Sequence, residues 1–210
     1  MSRTALIGCA VVVGALVLLG VIVAVASVGI YNGLVDREQA VEAQWANVEN
    51  VYQRRADLVP NLVATVRGAA DFEQETLTEV VEARARVGQL TASPEMLDDP
   101  EAFRRFEQAQ DALSSALSRL LVVVERYPQL QAVAGFRDLM VQLEGTENRI
   151  SVERRRYNQE AQGYNAAVRR VPAAWFIQIL GWEFDPKLYF ESRPGSDVVP
   201  EVDFSDRAAE

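Results

Sequence analysis

The residues able to do chemistry in this chain are few in kind and sit where packing residues are expected. A heptad step from Val48 to Leu62 passes through Arg55, where an apolar side chain is called for. The same stepping on a later segment puts Glu147 and Arg154 on the stripe. Asn158 and Asn165 lie beside it, each directly after a tyrosine. A charge on a packed seam is costly unless it meets a partner. Arg55, Asp57, Glu147, Arg154, Asn158 and Asn165 therefore form a candidate polar cluster between helices. One reading is structural: a buried ion pair with amide hydrogen bonds that fixes the register of a bundle. A second is a small polar pocket or a docking patch. A third is carboxylate acid–base chemistry by Asp57, Glu73 or Glu147, although nothing in linear sequence brings two of them together.

The inventory narrows these readings. Histidine is absent and Cys9 is the single cysteine. Ser-His-Asp and Cys-His catalysis and thiolate zinc sites are thereby excluded, as is an internal disulfide. A di-metal carboxylate bundle would need Glu-x-x-His motifs on facing helices, so no metal or other cofactor is expected. The 21 Lys and Arg against 30 Asp and Glu give a net charge of −9. No basic face is available to neutralise phosphates, which argues against a nucleic-acid partner. Lys187 is the only lysine.

The elements that must position these residues are helices. Val41, Trp45, Val48, Tyr52, Val59, Leu62 and Val66 recur at three-four spacing, and the seam runs on through Leu77, Val80 and Val87 to about Gln89. Pro60 interrupts it, which predicts either a kink near residues 58–60 or two helices meeting there. Residues 91–100, with two prolines, read as a loop. A second helix is predicted over 101–127 on Phe103, Phe106, Leu113, Leu117 and Val124. A third runs from about residue 130 or 132 to 171, on Phe136, Met140, Leu143, Ile150, Tyr157, Tyr164 and Val168. No strand pattern appears. The fold class is all-α: an N-terminal transmembrane helix followed by an antiparallel bundle of three to four long helices.

Residues 5–30 are apolar without a single charge, long enough to span a bilayer. A cleaved signal peptide, with Ala24-Val25-Ala26 as its site, is the competing reading. Leu6-Ile7-Gly8-Cys9 resembles a lipoprotein box but has almost no apolar segment before it. Arg3 and the α-amino group flank the span on one side. Arg37, among Asp36, Glu38 and Glu42, flanks it on the other. This leans towards an extracytoplasmic bundle by the positive-inside rule. The chain divides into an anchor (1–30), a bundle (31–191) and an acidic tail (192–210) read as disordered. The aromatic stretch 175–184 either caps the bundle or places Trp175 and Phe176 at the membrane interface.

The chain resembles the LemA family of bacterial membrane proteins. The residues that carry this are Tyr31-Asn32-x-Leu34-Val35, Trp45, and Arg54-Arg55-x-Asp57-Leu58-Val59-Pro60-Asn61-Leu62-Val63. Glu73, Arg84, Tyr127-Pro128 and the run EGTENRI ending at Ile150 follow. Arg156-Tyr157-Asn158, Tyr164-Asn165, Pro172 and Tyr189-Phe190-Glu191 complete the pattern. The resemblance covers residues 31–191. One departure is Phe72-Glu73, where the family often has His-Glu. The resemblance implies one membrane helix and a long-helix bundle, with no established enzymatic activity; descriptions of the family sometimes place that bundle in the cytoplasm, against the charge pattern. The expected function is a non-enzymatic scaffold or interaction protein of the bacterial cell envelope. Its partners would be the lipid bilayer through residues 5–30 and a protein of unknown identity, with self-association into a homo-oligomer open. The alternative is a ligand-binding or signalling module using a polar pocket between the long helices.

Overall fold

The computed structural model describes residues 3–67, 74–90, 92–127, 133 and 135–191. Five α-helices account for most of them: α1 (Arg3–Arg67), α2 (Gln74–Gly88), α3 (Pro100–Val124), α4 (Phe136–Arg169) and α5 (Ala173–Leu180). A 3-10 turn, Pro94–Asp98, leads into α3. There is no strand among the described residues. The predicted tail, Glu73 and Pro128 lie outside them.

α1 is one continuous helix of 65 residues. Ile7 of α1 and the large apolar side chains from Val11 to Val28 are exposed, whereas from Leu34 onward one face is buried. The apolar run and the first bundle wall are therefore one element. Of the two alternatives at Pro60, two helices meeting there is not what is found: α1 passes through it to Arg67. The seam drawn unbroken to Gln89 belongs to two helices, α1 and α2. Pro60 removes one N–H and so frees the carbonyl of Ala56, four residues back. That carbonyl accepts a hydrogen bond from Arg84 Nε of α2 at 3.3 Å. Pro60 itself is exposed, which leaves its ring room.

The pairings give the topology. Along α1 and α4, Gln44 meets Glu153 and Arg55 meets Glu147, so the two run antiparallel. Along α1 and α3, Trp45 meets Phe103 and Phe106 while Arg55 meets Gln110 and Ser114, so these run parallel. The helix starts follow their sequence. Asp99 accepts hydrogen bonds from the N–H groups of Glu101 (2.8 Å) and Ala102 (3.1 Å), and Pro100 occupies the first helical position. α3 ends at Val124 and α4 spans Phe136–Arg169, both shorter than the seams predicted.

Two apolar clusters fill the bundle. The one near the span holds Leu34, Trp45, Tyr52, Phe103, Phe106, Ile150, Tyr157 and Phe190. The far one holds Val59, Leu62, Leu77, Val80, Leu113, Leu120, Phe136 and Leu143. Between Tyr52 and Val59, Phe106 and Leu113, and Ile150 and Leu143 lies a polar layer.

Candidate functional site

That layer is built on Arg55, whose side chain is 1% exposed. Its Nη1 donates to Glu147 Oε1 at 2.8 Å and to Ser114 Oγ at 2.6 Å. Its Nη2 donates to the carbonyl of Gln110 at 3.2 Å and to the side-chain amide oxygen of the same residue. The guanidinium also lies 5.2 Å from the centre of the Tyr52 ring. Glu147 is 39% exposed, so the pair has one dry and one wet end. Burial pushes the Tyr52 hydroxyl above its ordinary value, opposed by the charges of Arg154 and Arg55. Arg55 and Glu147 thus meet as their heptad positions predict. Gln110 and Ser114, from α3, complete the layer and were not singled out in the sequence.

The other four candidates do not join them. Asp57 is exposed on α1 and accepts a hydrogen bond from Gln53 at 2.9 Å, away from the layer. The heptad that carries Arg55 inward turns a residue two positions later outward. Arg154, Asn158 and Asn165 are occupied by an extended strap, residues 182–191, which runs back along α4 from the membrane end. Asn158 and Phe190 exchange two hydrogen bonds, Nδ2 to the Phe190 carbonyl (2.8 Å) and Phe190 N–H to Oδ1 (2.9 Å). Asn165 does the same with Lys187, at 2.8 Å both ways, and donates to Tyr189 Oη at 2.8 Å. Each asparagine amide behaves as the peptide group of a missing neighbouring strand. The strap's backbone therefore keeps its hydrogen bonds with no sheet beside it. Tyr157 Oη donates to the Leu188 carbonyl at 2.9 Å.

Arg154 donates to Glu107 Oε1 at 3.2 Å and to the Glu191 carbonyl at 3.3 Å, with its guanidinium 4.4 Å from the centre of the Phe190 ring. Burial pushes the Glu107 carboxyl up, against the lowering by Arg154. Lys187 is held by Glu38 of α1 at 2.9 Å and by Asp98 at 2.9 and 3.1 Å. Burial, the largest influence, would lower its pKa, but the bonds to Glu38 and Asp98 together hold it above the ordinary lysine value. Sequence reasoning missed Lys187 and Phe190 as site residues. The signals present were the lone lysine and two asparagines a heptad apart.

Five of the six candidate residues, Arg55, Glu147, Arg154, Asn158 and Asn165, are thus engaged across the bundle or by the strap. Beside the strap remains a half-open cavity of about 470 Å³ whose polar lining includes Arg104, Glu107, Arg169 and Tyr189. Among the described residues no group of three or more carboxylates or thiols converges as a metal site would require.

At the membrane end, Trp182 and Phe184 pack edge-on against Tyr31, with ring centres 5.1 and 5.4 Å away. Phe176 of α5 stacks on Trp182 at 5.9 Å. Ala173 is buried, and Ile177 is partly buried against the near cluster, as is Ile30. Trp175, Ile179 and Leu180 are exposed.

A long apolar helix continuous with a strapped helical bundle defines a membrane-associated, all-α protein. A sequence model of the LemA family matches residues 44–204, and the chain belongs to that family. It is 27% identical over 191 residues to magnetosome protein MamQ of Magnetospirillum gryphiswaldense, covering 82% of this chain and 70% of the relative. Magnetosome proteins MamQ 2 and MamQ 1 of Paramagnetospirillum magneticum are each 30% identical over 185 residues. Those matches cover 80% of this chain and 67% of each relative.

Proposed function

We propose that the protein is a non-enzymatic scaffold of the bacterial cell envelope. In this reading one span, residues 5–30, holds it in the plasma membrane with the bundle on the extracytoplasmic side. It presents its helical faces to a protein partner, which can be another copy of itself. The observation that carries this is the fate of the polar seam residues. Arg55 is engaged by Glu147, Gln110 and Ser114, and Asn158 and Asn165 by the strap. Groups held in this way set register and hold segments together. The magnetosome relatives point in the same direction, since their names give a cellular structure and no reaction. The test is in cells. A reporter fused at Glu210 should be active only outside the cytoplasm, and photo-crosslinkers on exposed α3 and α4 positions such as Val122 and Val141 should capture one discrete protein. Cytoplasmic reporter activity sinks the topology, and crosslinks that capture no protein sink the scaffold.

The cavity beside the strap supports a second reading, a ligand-binding module. Arg104 and Arg169 on its wall, beside Glu107 and Glu191, suit a small ligand that carries an anionic group. A bound ligand raises apparent stability by mass action. A panel of small anions that leaves the melting temperature of the full chain unmoved returns the choice to the scaffold.

A further inference from the structure

We infer that α5 is an in-plane membrane foot, with Trp175 and Ile179 inserted among the lipid headgroups beside the end of the span. This rests on the tethered reading above and adds a second, separate lipid contact to it.

The argument starts from the composition of α5, AAWFIQIL, in which Gln178 is the only polar residue. A helix this short needs one apolar face to dock on the bundle, and Ala173, Phe176 and Ile177 supply it. At 100° per residue, Trp175 and Ile179 then point the other way. They are 61% and 78% exposed. Elsewhere on the bundle, α2, α3 and α4 expose large apolar side chains only as valines: Val81, Val122, Val141 and Val152. A helix apolar on both faces requires an apolar medium on the second.

What covers that face follows from its place. Trp182, on which Phe176 stacks, packs against Tyr31, the first residue after the apolar run, and Ile177 shares its cluster with Ile30. The run of 26 residues is about 39 Å long as a helix, against a hydrocarbon core of about 30 Å. Its last turns therefore reach the headgroup zone, and α5 is level with them. Tryptophan concentrates in that zone. Arg169 and Arg170, both exposed, immediately precede the turn into α5 and suit lipid phosphates. Gly181, in the left-handed conformation at φ 67°, ends the helix and sends the chain back into the bundle as the strap.

The test uses the full chain with Cys9→Ser and one new cysteine, Ile179→Cys, Val17→Cys or Ser118→Cys, each carrying a polarity-sensitive fluorophore. The proteins are reconstituted at high lipid excess into vesicles of phosphatidylcholine and phosphatidylglycerol that contain nitroxide-labelled lipid. The label at 179 should be quenched several-fold more by a nitroxide near the headgroup than by one near the chain end. The label at 17, within the span, should show the reverse order, and that at 118, at the far end of the bundle, no lipid quenching. Quenching at 17 without quenching at 179 overturns the foot and leaves the tether standing. A label at 179 that is shielded from aqueous quencher yet untouched by lipid nitroxide means a second copy covers α5, which also overturns it. No quenching at 17 removes the tether and the foot with it.

Discussion

The Arg55–Glu147 pair is asymmetric, and the asymmetry predicts which partner matters more. A buried charge stripped of its counter-ion costs more than the pair is worth, while an apolar replacement of similar volume can be nearly neutral. Glu147 reaches water and Arg55 does not. Glu147→Ala, which strands the guanidinium, should cost about 3 kcal/mol, and Arg55→Met about 1 kcal/mol or less. Urea melts in detergent measure both, and the reverse order would mean that the layer is held by Gln110 and Ser114 instead. Lys187 gives a pH signature. Its folded pKa is raised above 10.5, so its contribution is whole below pH 10.5 and falls as pH rises through the folded value. Burial raises the Tyr157 and Tyr164 hydroxyls, and they lose stability in the same direction from pH 10 upward. Lys187→Met removes only the lysine's part. Its urea midpoint should be lower than wild type at pH 8 and the two should converge as pH approaches 12; parallel curves would show that Glu38 and Asp98 do not hold the strap.

At the scale of elements, Pro60 and Arg84 act as a unit although they are far apart in sequence. Arg84→Met should cost about 1 kcal/mol, the worth of a partly buried hydrogen bond to a carbonyl that the helix no longer serves. In a Pro60→Ala background the helix serves that carbonyl itself, so the same change should cost less by about 0.5–1 kcal/mol. Strict additivity in a double-mutant cycle would separate the two residues. This pair also shows what periodicity can and cannot tell. The seams of α1, α3 and α4 were legible, and so was the meeting of Arg55 with Glu147, because both follow from a seven-residue step. A proline in such a seam reads as a break, yet the arginine that takes up its freed carbonyl comes from another helix and leaves no local mark. The strap was illegible for a related reason. An extended segment held through its own backbone needs no side-chain period, and its receptors, Asn158 and Asn165, looked like members of an ion-pair cluster.

Across the whole molecule the polar layer separates two cores of different construction. The far one is mostly aliphatic and held by α1, α2, α3 and α4, with Phe136 the one buried ring among its described residues. The near one is aromatic and is completed only when the strap returns from the membrane. Phe190 sits 5.9 Å from Trp45, 5.1 Å from Phe103 and 5.4 Å from Tyr157, ring centre to ring centre. Such rings bury about 150–250 Å² each, and each pair adds about 0.5–1.5 kcal/mol beyond that burial. Without Phe190 the Trp45 ring faces a void, while the far core keeps every contact it has. Phe190→Ala should therefore cost about 3–5 kcal/mol, and the loss should be local. Amide hydrogen exchange on the full chain should accelerate in α1 around residues 41–52 and in α4 around 157–168. Protection in α1 around 59–66 and in α3 around 113–120 should be unchanged, since opening beside the layer need not breach it. A uniform rise in exchange along α1 would mean the two cores open as one body, and the layer at Arg55 would then carry register alone and no partition.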